Sequence, residues 1–157
     1  MRNWIGVLFT ALTVTAAGCL KTETEEPCTP NTVEEEMPAM TQFAADSSIT
    51  TTQDATGILY EIIELGDGAI PSATSKITIH YTGRLLNGQG FDSTTTTPRT
   101  FQLNQLIAGW QIAIPKIKAG GKIKMIIPSS LAYGCDPYYG VVADRPLYFY
   151  VELLDVE

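Results

Sequence analysis

Pro115 and the pair Gly120-Gly121 leave room for only one short helix between Phe101 and Gly134 (FQLNQLIAGWQIAIPKIKAGGKIKMIIPSSLAYG). Proline cannot donate to a helix ladder, and glycine loses the most freedom inside one. A helical turn starting at Asn104 or Gln105 must therefore end by Pro115, with Trp110 at its centre. Past the glycines, Gly121 to Pro128 alternates Lys with Ile or Met and reads as a strand. Nothing in the stretch is an evident nucleophile, general base or metal ligand. It offers a large indole, aliphatic side chains and the Tyr133 hydroxyl, which suit an apolar binding pocket.

The neighbouring segments read as strands. Ile58–Ile63 is β-rich and stops at Gly66-Asp67-Gly68. Lys76–Thr82 alternates strictly, with Ile77, Ile79 and Tyr81 on one face and Lys76, Thr78 and His80 on the other. His80 is thus read as a solvated histidine rather than a catalytic one. Arg84-Leu85-Leu86 followed by Asn87-Gly88 signals a hairpin, because Asn-Gly readily takes positive φ. Thr100–Leu103 gives another short strand, and Pro146–Val156 the last, alternating Leu147, Phe149, Val151 and Leu153. Five or six strands around a single short helix predict an α+β domain in which an antiparallel sheet wraps that helix. At 157 residues the chain can bury such a core without metal or several disulfides.

The N-terminal third is different. Residues 1–18, MRNWIGVLFTALTVTAAG, have one positive charge, an apolar run of about ten residues and then small residues, the order of a secretory signal peptide. Ala16-Ala17-Gly18-Cys19 resembles a bacterial lipobox, which implies lipidation at Cys19 and a membrane anchor; ordinary cleavage with a free Cys19 is the alternative. Residues 19–54 form an acidic leader: Glu23, Glu25, Glu26, Glu34, Glu35, Glu36 and Asp46 face only Lys21 through residue 46, whereas residues 47–157 carry ten acidic and eight basic groups. With net charge −7 and only Lys116, Lys118, Lys122 and Lys124 clustered, nucleic acid is not an expected partner. Within the leader, Thr32 and Glu35 make a capping-box pattern, and Val33, Met37, Met40 and Phe43 recur at helical spacing, so a short helix near 33–45 is expected despite Pro38. The domain proper, 55–157, begins near Ala55. Lipidating Cys19 would leave Cys28 and Cys135 as an even pair in an oxidising compartment, and a disulfide between them is expected; two unpaired thiols are the alternative.

HYTGRLLNGQGFDS, TFQLNQLIAGWQ, KIKAGGKIKMIIPSSLAYG and PLYFYVELLDV occur here in an order and spacing that resemble the FKBP-type peptidyl-prolyl cis-trans isomerases. The resemblance covers about residues 57–157. It implies a half-open antiparallel sheet of five to six strands wrapped on one short α-helix, with an aromatic pocket for proline between them. Carried over position by position, that pocket falls on Tyr81, Phe91, Asp92, Leu106, Ile107, Trp110, Tyr133, Tyr138, Val141, Val142 and Phe149. Trp110 matches the floor, Asp92 a carboxylate near the substrate carbonyl, Tyr133 a hydroxyl donor, and Ile107 a position whose backbone N–H binds peptide.

There are departures. Where the family commonly has an arginine that pairs with the aspartate, this chain has Ser93 and four threonines. Arg99 stands where an apolar residue often lines the pocket, which leaves its reach to Asp92 open. Ile112-Ala113 replaces the usual Glu-Gly, and the loop from Gly140 to Pro146 is short. The resemblance implies proline-containing segments of exported proteins as substrates, macrolide inhibitors as ligands, no cofactor, no metal, and a lipid-anchored place in the cell envelope. A non-catalytic proline-peptide-binding chaperone or a structural envelope lipoprotein of the same fold are the alternatives.

Overall fold

A computed structural model describes residues 28–94, 96–138, 141 and 143–157. Cys19, Val142 and the signal-like segment therefore lie outside the described residues. Among the described residues the first element is helix α1 (Val33–Asp46), whose capping box is formed: the Thr32 hydroxyl accepts from the Glu35 N–H, and the Glu35 carboxylate accepts from the Thr32 N–H. Pro38 falls inside the helix at its sixth residue, past the first turn, so the Glu34 carbonyl goes without its i→i−4 donor there.

Seven strands follow in one antiparallel sheet: β1 (Thr52–Gln53), β2 (Leu59–Glu64), β3 (Lys76–Leu85), β4 (Gly90–Ser93), β5 (Arg99–Gln102), β6 (Lys122–Ile127) and β7 (Leu147–Val156). Their order is β1-β2-β6-β7-β3-β4, with β5 also on β3. The two-residue β1 and the separate β4 and β5 raise the number above the five or six expected. β4 and β5 are two halves of one edge: β4 pairs with Thr82–Arg84 and β5 with Lys76–Ile79. Between them the ladder on β3 is interrupted beside Tyr81.

The β3–β4 turn is wider than the Asn-Gly signal suggests. Gly88 alone takes positive φ, at 88°, while Asn87 does not, and Leu85 and Gln89 close the hairpin. One left-handed residue after an ordinary turn, with an irregular register at Gly83/Arg84, is the bulged form of hairpin rather than the two-residue one.

Helix α2 (Ala108–Ala113) lies within the curve of the sheet and tightens into a 3₁₀ turn over Ile114–Lys116, where Pro115 ends the α-helical ladder. Gly109 is required for this close approach, since a Cβ there would overlap the Ile127 side chain. Trp110, Ala113 and Ile114 thus join Ile77, Ile79, Tyr81, Ile123, Met125, Phe149, Val151 and Leu153 in the main core. On the outer face a second apolar cluster joins Met40 and Ala44 of α1 to Leu59 and Ile126 of the sheet. This explains why β6 gives up its alternation at Met125-Ile126-Ile127: both faces are covered there.

Candidate functional site

Period-two pleating and the register of the broken edge build the site. Ile77, Ile79, Tyr81 and Gly83 share one face of β3. Opposite Ile77 stands Phe101, opposite Ile79 stands Arg99, and opposite Gly83 stands Asp92. Asp92 and Arg99 therefore flank Tyr81 diagonally on the concave face. The Tyr81 hydroxyl donates to Asp92 Oδ2 at 2.5 Å, and Arg99 Nη1 donates to Tyr81 Oη at 2.9 Å and to Asp92 Oδ1 at 3.3 Å. Burial, followed by the hydrogen bond to Asp92, pushes the Tyr81 hydroxyl well above the usual tyrosine range, so it stays a donor. The gap in the ladder is filled by Thr94, whose N–H donates to the Tyr81 carbonyl and whose hydroxyl accepts from the Tyr81 N–H. The same hydroxyl meets His80 Nδ1 at 2.9 Å. His80 is thus half-buried and bonded, a support for β3 rather than a solvated side chain.

Trp110 forms the floor. Its ring meets Tyr81 edge-to-face at 5.3 Å and Phe149 at 5.1 Å, and Phe149 in turn meets Phe91 at 5.6 Å. Such T-shaped contacts favour a fixed arrangement of walls. Leu106 and Ile107, just before α2, and Phe101 of β5 complete the near side. Among the described residues no acceptor takes the Ile107 N–H.

The far wall comes from the segment after β6. A short 3₁₀ turn over Ser129–Leu131 leads to Tyr133, which stacks on Tyr138 with ring centroids 4.7 Å apart. Burial, with smaller contributions from Tyr138 and Asp92, pushes the Tyr133 hydroxyl up to about 12, so it too is a donor at neutral pH.

Tyr81, Phe91, Asp92, Leu106, Ile107, Trp110, Tyr133, Tyr138 and Phe149 are all brought to this one cleft. Val141 is not among the residues lining it; it packs in the same core as Trp110 and Phe149, and its backbone pairs with Tyr138. Sequence reasoning missed Phe101 and left Arg99 undecided. The alternation of β5 against β3 would have placed both on the cleft face had that register been known. Cys28 and Cys135 are joined in a disulfide. Asp144 lies beside them, but with both sulfurs in the disulfide the group offers no thiolate to a metal.

A cleft walled by seven aromatic rings, with hydroxyl, carboxylate and guanidinium at its rim, defines a class of site: one whose shape and apolar walls suit a compact apolar ring. The chain belongs to the FKBP-type peptidyl-prolyl cis-trans isomerase family, which matches residues 68–154. It is 38% identical over 118 residues to the FKBP-type peptidyl-prolyl cis-trans isomerase FkpA of Escherichia coli, covering 74% of this chain and 43% of that one. It is 37% identical over 106 residues to the peptidyl-prolyl cis-trans isomerase Mip of Coxiella burnetii, covering 66% and 46%. The chain thus spans less than half the length of these relatives. The crystal structure of FkpA from Escherichia coli superposes with a TM-score of 0.71 at 34% identity, over 79% of this chain and 60% of that one. A peptidyl-prolyl cis-trans isomerase from Pseudomonas syringae does so at 0.67 and 32%, over 82% and 98%. The half-open antiparallel sheet on a short helix is therefore the family's fold.

Proposed function

We propose that this chain catalyses cis-trans isomerisation of X–Pro bonds in exported polypeptides. Rotation about the bond meets a barrier of roughly 18–20 kcal/mol, because the planar amide must lose its resonance. Left alone it takes on the order of tens to hundreds of seconds. A site accelerates it by fitting the half-rotated imide better than either planar form. The half-rotated imide is less charge-separated than the planar ones, so apolar walls from Trp110, Tyr81, Phe91 and Phe149 favour it. The Tyr133 hydroxyl and the Ile107 N–H position the flanking carbonyls, and Asp92 sets the field at the rotating one. No nucleophile, base, metal or cofactor is required.

The observation that carries this reading is the Arg99–Tyr81–Asp92 network. The aspartate has an arginine partner despite the family's usual arginine being absent, which weighs against a binding module that has lost catalysis. A proline-limited refolding assay tests it: wild type should be faster than a Trp110→Ala, Asp92→Ala double variant, and equal rates would overturn the reading. Macrolides that fill the proline pocket should inhibit.

The place of action follows from the leader. Residues 1–18 would direct export, Cys19 would carry lipid, and residues 19–54 would connect that anchor to the isomerase domain at 55–157. The Cys28–Cys135 disulfide supports export, because such bonds persist in oxidising compartments. Intact mass of the membrane-extracted protein should show acyl chains on Cys19; an unmodified thiol there would refute the anchor.

A further inference from the structure

The leader is fastened to the far wall of the cleft at three points. Glu36 of α1 is 5% exposed, and its Oε2 accepts from the Ser129 N–H at 2.8 Å. Asp144 Oδ1 accepts from the Asn31 N–H at 3.2 Å, and Cys28 is bonded to Cys135. Each point lies at a joint of the wall. The Ser129 carbonyl accepts from both Ala132 and Gly134, the two neighbours of Tyr133, while the Gly134 carbonyl accepts from the Asp144 N–H. The turn that presents Tyr133 thus hangs on Ser129, and the backbone donor of Ser129 is held by a carboxylate 93 residues earlier in the chain.

A buried carboxylate is costly, and more so here because Glu36 Oε1 has no hydrogen-bond partner among the described residues, so its place beside Ser129 calls for a reason other than packing. A helix serving only as a spacer would need apolar contacts to lie on the sheet, and Met40 and Ala44 already supply those. Glu36 instead satisfies the first N–H of a 3₁₀ turn that has no side-chain cap of its own. We propose that α1 is a working part of the isomerase site, with Glu36 a positioning residue that sets the Tyr133 hydroxyl through Ser129. This rests on the isomerase reading of the cleft.

The test uses the full chain. Glu36→Met keeps the length of the side chain but accepts no hydrogen bond; Glu36→Gln still accepts one. Glu36→Met lowers kcat/KM about two- to fivefold, no more than losing the Tyr133 hydrogen bond it acts through, and Glu36→Gln recovers at least half of the loss. In a Tyr133→Phe background Glu36→Met has little further effect, because the two residues act as one unit. Full activity of Glu36→Met, or a loss that simply adds to that of Tyr133→Phe, overturns the proposal. If Glu36→Met does not fold, Cys28→Ser with Cys135→Ser puts the same question from the other end of the clamp, with the same two outcomes. An inactive wild type would overturn the isomerase reading instead. Hydrogen exchange then decides on the brace: Ala132 and Gly134 amides exchanging faster in Glu36→Met, with β7 unchanged, support it, and unchanged protection refutes it.

Discussion

The two walls of the cleft are held by different means. Tyr81, Asp92, Arg99 and Phe149 stand on strands whose ladders and buried faces fix them, and Trp110 stands on a helix wedged against β6. Tyr133 and Tyr138 stand on a segment secured by a few turn hydrogen bonds, one buried carboxylate and one disulfide. The near wall cannot move without disturbing the core. The far wall can loosen while the core stays intact, since local opening draws on regions with few buried contacts. The cleft therefore pairs a rigid template with an adjustable cover.

Trp110→Ala should break the near wall outright. Removing a buried indole costs about 3–5 kcal/mol of stability. With the floor gone, kcat/KM should fall roughly a hundredfold or more, the rate equivalent of about 2.7 kcal/mol. Urea unfolding and the refolding assay read the two losses together. Unchanged binding of a proline peptide would contradict the floor assignment.

Cutting the Cys28–Cys135 bond should act on the other wall. It spans 107 residues, and cross-links closing long loops restrict the unfolded chain most, so its loss should cost about 2–4 kcal/mol. The comparison sharpens if hydrogen exchange rises in residues 129–145 and not in β3. A uniform rise would mean that the two walls are one cooperative unit.

Arg99→Leu separates field from frame. Its guanidinium is half exposed, 51% by side chain, so solvent screens the ion pair with Asp92 and leaves it little weight in stability. It nevertheless orients both Asp92 and the Tyr81 hydroxyl. The expected result is a fall in kcat/KM of roughly three- to tenfold, about 0.7–1.4 kcal/mol, with the unfolding midpoint almost unmoved. A large drop in stability with no change in rate would reassign Arg99 to the frame.

These regions also differ in how far the sequence displayed them. Ile77, Ile79 and Tyr81 follow strand alternation, and Trp110 sits between a strand and Pro115, so the near wall and the fold were legible from local pattern. Thr32 and Glu35 displayed α1 by the same kind of signal. What was hidden depends on long-range register. Arg99 reaches Asp92 only because the edge strand breaks beside Tyr81, and no local period encodes that break. Thr94 and His80 are bonded for the same reason. Glu36 looked like one more charge in an acidic leader, since nothing nearby in sequence says that this position of α1 meets Ser129. Val141, placed in the pocket by position, packs in the core and pairs its backbone with Tyr138, a contact that also depends on long-range register.

The mildest substitution is Tyr133→Phe, and it discriminates best between template and cover. One neutral hydrogen bond is worth about 0.5–1.5 kcal/mol, so kcat/KM should drop roughly two- to twelvefold while binding of the proline ring persists. The pH dependence adds a second reading. The folded hydroxyl titrates near 12, above the ordinary tyrosine value of 10.0, so it remains a donor from pH 6 to 9 and its contribution to rate should be flat across that range. Stability has the opposite sign above that window. From pH 10 to about 12 the unfolded tyrosine releases its proton before the folded one does, so the folded state holds more protons and loses stability as pH rises. Unfolding midpoints measured between pH 9 and 12 should fall less steeply in Tyr133→Phe than in wild type. Identical slopes would mean that the far wall already opens to solvent, and that Tyr133 is not held over the cleft in the folded chain.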